Sequence, residues 1–452
     1  MPIFSPDLKP QGHRQTSLLL LLCLLLASTC TLSAQSLVRP GWKGSGVSAE
    51  PWWKRAIFYN VSAAQPDFKF IAARLDALRA LDVDAVILPA PALPAPGSNG
   101  PMPNLDDFEV LLRQAGSHRI RVLLTIQPSA NGADLAGVAR FWLNRGVAGL
   151  HIATPPGTSP EAAQEMTDTV RKLASGSLGQ RIVISDVDLA PPAAGAPPTH
   201  RAGRTAHAAD AAQLEIDDRP NSLATLDAAG LRPFLAQTAA DPNLLIDLTA
   251  HDAANQATSP QAAPIAAISL IGHPAALIDS TANLRLEANA TAPAEAEEPA
   301  RPAALPTPAQ PPAGTYLPYV PYTPPAKPKP VEATKPKPPD PLTVWYQQLA
   351  ALHQDNATLR TGAKEFLDLD AEDVIAWVSR PPSPSLETPA VAVLCNLSGS
   401  AVQFSLADAM KHLDLRGTFL RTLLRSDSGL GGQDLNAVSL PPYGVYIGEL
   451  RR

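Results

Sequence analysis

Cysteine and charged residues are both scarce in this chain. Of its 452 residues only three are Cys and 17% are charged, with a formal net charge of −6. This acidic balance, without a Lys- or Arg-rich surface run, excludes nucleic acid as an expected partner. Cys23 and Cys30 lie in an N-terminal apolar run, so Cys395 alone remains after it. We therefore expect no internal disulfide, and stability must come from packing.

The N-terminal apolar run covers residues 17–34, follows basic residues and ends in small residues before Gln35. This layout predicts a signal peptide over residues 1–34 and an exported mature chain that begins with the segment 35–50. An uncleaved membrane anchor is the alternative, because about 17 apolar residues can span a bilayer.

Between residues 51 and 286 short apolar runs alternate with longer amphipathic ones. Such alternation is typical of βα units and a parallel sheet. Eight runs are predicted strands: 56–61, 85–90, 121–126, 149–153, 181–187, 213–218, 243–249 and 266–272. Eight units in this length predict an α/β fold, a (β/α)8 TIM barrel at the small end of the usual size range.

The composition changes after residue 286. Residues 299–341 hold 16 of the 49 prolines, so 287–341 is predicted to be an extended Pro-rich spacer. Within it Tyr316, Tyr319 and Tyr322 recur every third residue, which places them on one side of a polyproline helix. This stripe could bind a protein partner or a cell-wall glycan, and the alternative is a stiff linker with no binding role.

Residues 342–452 begin with a helical pattern and continue as short alternating apolar runs. Turn signals such as DSGLGG and LPPYG separate these runs. The pattern predicts a helix followed by a C-terminal antiparallel β-sandwich.

The stretch FWLNRGVAGLHIAT, residues 141–154, resembles the fourth-strand motif FWL-x-x-G-V-D-G-F-R-I-D-A of the α-amylase superfamily of glycoside hydrolases. The resemblance places Ala153 at the position of the nucleophilic Asp and His151 at that of an Arg. An alanine methyl cannot form a glycosyl ester. The resemblance therefore implies the scaffold of a glycoside hydrolase without its central chemistry.

Other stretches resemble the same family. Tyr59 in WWKRAIFYNV matches a Tyr that lines the family's sugar pocket. RVLLTIQPSA resembles the third-strand D-x-x-x-N-H motif, and all three polar positions are lost, as Thr125, Ser129 and Ala130. VISD places Asp186 where the family has its general-acid Glu.

Two further motifs complete the resemblance. His251 and Asp252 match the seventh-strand N-H-D, and LIGHPAALI, which contains His273, resembles the G-T-P-x-x-Y turn of the eighth strand. The family's inserted domain after the third strand is missing. In lacking both that insert and the catalytic residues, the barrel is also similar to the heavy chains of heteromeric amino-acid transporters, non-enzymatic members of the superfamily.

The strand ends offer two kinds of chemistry. Retaining hydrolysis needs two carboxyl groups about 5 Å apart, and Ala153 breaks that pair. An inverting route with Asp186 as acid and Asp252 as base stays open. A metal site from His151, His251 and His273 with one of these carboxylates lacks supporting ligand spacing. No metal and no cofactor is expected.

Together these patterns predict an exported α-amylase-like protein without hydrolase activity, which binds carbohydrate or the cell envelope or acts as a scaffold. The candidate binding residues are Tyr59, His151, Asp186, Asp252 and His273. One alternative is a weak or altered glycoside hydrolase. Another is a membrane-anchored ancillary subunit similar to the transporter heavy chains.

Overall fold

The computed structural model describes residues 51–61, 67–94, 102–128, 134–155, 157–186, 212–217, 227–239, 241, 243–248, 259–282, 284, 286, 340–383, 385 and 387–451. All belong to the second of two compact units, residues 51–452. The N-terminal segments and the tyrosine stripe lie outside the described residues, as do Ser129, Ala130, His251 and Asp252. None of the helices in the described ranges is long and apolar enough to cross a membrane.

Eight parallel strands form one sheet in the first part of this unit. They are β1 (Ile57–Asn60), β2 (Ala85–Pro89), β3 (Arg121–Ile126), β4 (Gly149–Ile152), β5 (Ile182–Asp186), β6 (Ala212–Asp217), β7 (Leu244–Ile246) and β8 (Ala276–Asp279). The spatial order is β7-β6-β5-β4-β3-β2-β1-β8. Because the first strand pairs with the eighth, the sheet curls into a nearly closed barrel. Seven predicted strands and the barrel fold are confirmed.

Helices alternate with these strands and cover the outside of the barrel. They are α1 (Phe68–Ala72), α2 (Leu75–Ala80), α3 (Asp106–Ser117), α4 (Leu135–Asn144), α5 (Pro160–Ser175), α6 (Ala228–Thr238) and α7 (Ala262–Ile271). On α3, Phe108, Leu111 and Ala115 repeat at helical spacing and are buried, which fixes the face that packs on the sheet. At the start of α5 the Ser159 side chain accepts from the Ala162 N–H, capping the helix.

The predicted eighth strand, residues 266–272, is wrong. These residues belong to α7 or follow its end directly, and the strand β8 comes afterwards. A short apolar run without alternation fits a buried helix as well as a buried strand. Here the helix is apolar on every side because the barrel covers one side of it and the C-terminal part of the chain covers the other. A contact with the C-terminal part is the hydrogen bond that Trp345 Nε1 donates to the Ala263 carbonyl at 3.1 Å.

Alternation along the strands separates two apolar cores. Side chains such as Phe58, Ile87 and Leu123 fill the barrel, whereas their neighbours, such as Ile57 and Leu124, pack against the helices. Since the barrel interior is filled, a binding site belongs at the end of the barrel rather than inside it.

The C-terminal part contains α8 (Pro341–Asp355), α9 (Ala357–Thr361), α10 (Ala407–His412) and eight strands. The strands are β9 (Ala363–Phe366), β10 (Val374–Arg380), β11 (Val391–Asn396), β12 (Val402–Phe404), β13 (Phe419–Arg425), β14 (Gln433–Asp434), β15 (Val438–Leu440) and β16 (Val445–Arg451). Six form an antiparallel sheet in the order β14-β13-β16-β11-β10-β9, and β12 pairs with β15. The predicted C-terminal antiparallel domain is confirmed.

Barrel and C-terminal domain share one continuous hydrophobic core. The cluster that covers the outside of the barrel extends to Trp377 and Val393 of the antiparallel sheet. Polar contacts join the same surfaces, because Gln261 Nε2 donates to the Leu397 carbonyl at 3.1 Å. The two parts therefore pack as one body, and the C-terminal domain holds α7 against the barrel.

Candidate functional site

The last inward-facing residues of the strands form a polar layer at the carboxyl end of the barrel. Counting two residues on from the interior positions, alternation places six polar side chains in this layer: Asn60, Thr125, His151, Asp186, Asp247 and Asp279. Below them the interior is apolar. The carboxyl end is where barrel enzymes carry their sites, so this layer is the candidate site.

His151 is the centre of the layer on the β3–β4–β5 side. Its Nδ1 lies 3.1 Å from Thr125 Oγ1, and its Nε2 lies 2.9 Å from Asp186 Oδ1. Thr125 and His151 are direct neighbours in the register of β3 and β4. A carboxylate only accepts, so Nε2 carries the proton and Nδ1 accepts the hydroxyl proton of Thr125. The imidazole is 8% exposed and both its nitrogens are satisfied.

Asp186 is held by two donors from the strand beside it. Besides the imidazole contact to Oδ1, its Oδ2 accepts from the Thr154 N–H at 3.0 Å. The side chain is 31% exposed, so it borders the mouth of the barrel. Ala153 follows β4 directly, and its N–H donates to the Ile126 carbonyl. Ala153, the position that the sequence resemblance aligns with a nucleophile, therefore carries only a methyl group.

A second polar pair joins β8 to β1, and sequence reasoning missed it. Asn60 Nδ2 donates to Asp279 Oδ2 at 2.9 Å, and the Thr281 N–H donates to Oδ1 at 2.8 Å. Asp279 is only 2% exposed. The signal for it is ALID, a short apolar run that ends in an acid after the Gly-His-Pro segment, but the sequence pattern predicts the strand in the preceding run.

Tyr59 lies beside this pair and does not belong to the inward layer. It is buried in the cluster between strands and helices. Burial, and next the charge of Asp279, raise the pKa of Tyr59 to about 12. The phenol is therefore neutral at physiological pH and lies in the wall behind the mouth.

His273 is at the other end of the barrel from the candidate site. It precedes β8, and its Nε2 donates to the Thr238 carbonyl at 3.3 Å. Burial, assisted by the positive charge of Lys364, lowers its pKa to about 4. The structure thus does not bring His273 together with His151. Within the described ranges no group of three or more His, Cys, Asp or Glu could hold a metal ion.

Comparison with known proteins gives a match in structure and none in sequence. No family model and no curated protein matches the chain. An isomaltulose synthase from Klebsiella sp. LX3 superposes with a TM-score of 0.58 at 13% identity, over 89% of this chain and 100% of that chain. The fold is that of the α-amylase-type barrel with its C-terminal β domain.

Two further solved structures share this fold. An isomaltulose synthase from Protaminobacter rubrum gives a TM-score of 0.56 at 13% identity, over 90% of this chain and 100% of its own. A trehalose-6-phosphate hydrolase from Bacillus licheniformis gives 0.54 at 13% identity, over 89% and 100%. At this identity the likeness concerns the fold alone, and the activity of this chain has to be inferred from its own residues.

Proposed function

We propose that this chain is a relative of the α-amylase-type glycoside hydrolases without glycosidase activity, and that its barrel mouth binds carbohydrate of the cell envelope. One observation carries the proposal. Both carboxylate oxygens of Asp186 accept hydrogen bonds from the protein, from His151 and Thr154, and the adjacent position is Ala153.

These contacts oppose glycoside hydrolysis for a chemical reason. A general acid must present a protonated oxygen to the glycosidic oxygen, and a second carboxylate must attack or activate water. In this site neither oxygen of Asp186 is available for proton donation, since each is an acceptor for an N–H of the protein. The nucleophile position offers no carboxylate. Asp186 therefore acts as a fixed acceptor.

The same residues can still bind a ligand. Hydroxyl, imidazole and carboxylate groups at the mouth are the types that exchange hydrogen bonds with sugar hydroxyls. The shared fold with sugar-converting enzymes supports a carbohydrate ligand, and the N-terminal apolar run supports export of the mature chain to the compartment of envelope polymers.

The test is a panel of glycans presented to the mature chain, which begins at Gln35, with binding and hydrolysis scored in the same samples. We expect binding without turnover, weakened at least tenfold by Asp186→Ala because the variant loses the fixed acceptor and the partner of His151. The matched control is Asp434→Ala, which removes an exposed carboxylate of the C-terminal domain. Absence of any binding would contradict the proposal.

Two outcomes would favour the alternative functions. Turnover that disappears in both Asp186→Asn and Asp252→Asn would support a weak or altered hydrolase. N-terminal sequencing of the exported chain provides the other outcome: an intact segment 17–34 would support a membrane-anchored ancillary subunit.

A further inference from the structure

A continuous line of hydrogen bonds crosses three neighbouring strands at the barrel mouth. The hydroxyl of Thr125 on β3 contacts His151 Nδ1 at 3.1 Å. The Nε2 of the same ring contacts Asp186 Oδ1 on β5 at 2.9 Å.

The direction of proton donation along this line is fixed by its far end. Asp186 accepts at Oδ1 from the imidazole and at Oδ2 from the Thr154 N–H, which orients the carboxylate. In the neutral imidazole the proton is then on Nε2, so Nδ1 presents a lone pair to the hydroxyl of Thr125. Hydroxyl, base and orienting acid in this order are the arrangement that activates a nucleophile.

Thr125 is also partly exposed near the end of β3, and Asp186 on β5 borders the mouth. His151 on β4, between them, is almost fully buried. The base is therefore largely shielded from bulk water, while the residue that carries the hydroxyl is partly exposed.

We propose that Thr125 is a nucleophile and that the chain cleaves O-acyl esters, with acylated sugar hydroxyls as the substrate class. Thr125 Oγ1 attacks the ester carbonyl carbon and its proton passes to His151 Nδ1. The bond from that carbon to the alcohol oxygen breaks, and the imidazole returns the proton to the departing alcohol. Water then attacks the acyl-threonine, gives one proton to Nδ1, and releases the carboxylic acid as Thr125 recovers its proton.

In this reaction Thr125 is the catalytic residue that touches the substrate, His151 is the base, and Asp186 is a positioning residue. The assignment of a sugar as the alcohol component of the ester rests on the proposed carbohydrate binding. The assignment of ester cleavage does not, since its steps use these three side chains and water.

The experiment uses the mature chain and 4-nitrophenyl acetate, with release of nitrophenolate as the readout. We expect Thr125→Val, which keeps the shape of the side chain, to lower the protein-dependent rate about 100-fold or more. Thr125→Ser should retain activity. Thr169→Val is the matched control, because Thr169 is a helical threonine away from the mouth whose hydroxyl contacts only the Glu165 carbonyl. His151→Gln, which removes the base, should lower the rate by a similar factor.

Mass spectrometry of an acid-quenched reaction provides a second readout. We expect one acetyl group on the peptide that contains Thr125, and none in Thr125→Val. A rate equal to that of buffer with folded wild-type protein, or an unchanged rate in Thr125→Val, would overturn the proposal. Glycan binding measured on the same samples separates the two ideas: retained binding with no ester cleavage contradicts the esterase alone, and loss of both contradicts the binding function as well.

Discussion

The imidazole of His151 and the carboxylate of Asp186 meet across β4 and β5, with Nε2 and Oδ1 2.9 Å apart. A retaining glycosidase needs two carboxyl groups in this neighbourhood. Here one carboxylate is paired with an imidazole, and the residue two positions after that imidazole is Ala153. Among the described residues, the Asp186 carboxylate thus belongs to a line of hydrogen bonds with His151 and Thr125.

Ala153→Asp is expected to leave the protein without glycosidase activity. The new carboxylate would lie at the mouth, but Asp186 would remain an acceptor for His151 and Thr154 and no arginine would stand at position 151. Release of reducing sugar from the glycan panel, compared with wild type, is the measurement. Activity in this single variant would show that the rest of a glycosidase site is intact.

Stability is expected to fall as the pH drops below about 6.5. Burial lowers the pKa of His273 to about 4 and that of His353 to about 3, and in both cases Lys364 lowers it further. The unfolded chain therefore binds protons between pH 6.5 and these values while the folded chain does not, so stability decreases with falling pH. Each histidine should cost about 2 kcal/mol between pH 7 and pH 5. Urea unfolding across this range measures the loss.

Substitution of one of these histidines should flatten the pH dependence. His353→Gln keeps a donor for the Pro274 carbonyl, which His353 Nε2 now contacts at 3.1 Å, and removes the titrating group. The control is His412→Gln, an exposed residue near the end of α10. An unchanged slope in His353→Gln would show that other groups dominate the acid response.

Arg232 is expected to contribute to docking of the C-terminal domain. Its Nη2 donates to the carbonyls of Val374 at 2.7 Å and Ala371 at 3.0 Å. Arg232→Met should lower the free energy of unfolding by about 2 kcal/mol, because two carbonyls lose a charged donor. Arg145→Met is the control, since the Arg145 guanidinium contacts Phe141 of the preceding helix, through a hydrogen bond to its carbonyl and a cation–π contact with its ring, and lies away from the junction. Equal effects of the two substitutions would contradict a specific role at the junction.

Cys395 is expected to be inert to thiol reagents in the folded protein. It is a free, buried cysteine, and burial raises the pKa of its thiol, so the reactive thiolate is suppressed. The other two cysteines, Cys23 and Cys30, lie in the N-terminal apolar run, so the test uses the chain that begins at Gln35. Absorbance with an aromatic disulfide reagent should show no reaction under native conditions and one thiol in urea. Rapid native labelling would show that β11 opens locally.

Much of the candidate site could be predicted from the sequence, because its motif positions are local. The run LHIA predicts His151 and Ala153 at the end of β4, and VISD predicts Asp186 at the end of β5. Both follow because alternation within one short strand decides which side chains face inward. The resemblance of RVLLTIQPSA to the third-strand motif likewise points to Thr125. It marks Thr125 as a position that differs from the motif, and it does not indicate that the hydroxyl has a hydrogen-bond partner.

The sequence by itself determined the alternation of strands and helices, the C-terminal antiparallel domain and the methyl group of Ala153 directly after β4. Tertiary structure decided the rest. The apolar run of α7 forms a helix because it is packed on both sides. As a result His273 lies at the amino end of β8, and Asp279 at the other end of this strand contacts Asn60. Likewise, only the register of β3, β4 and β5 joins Thr125, His151 and Asp186 into one line. Such contacts depend on how distant segments align in space, and no local pattern of residues encodes that alignment.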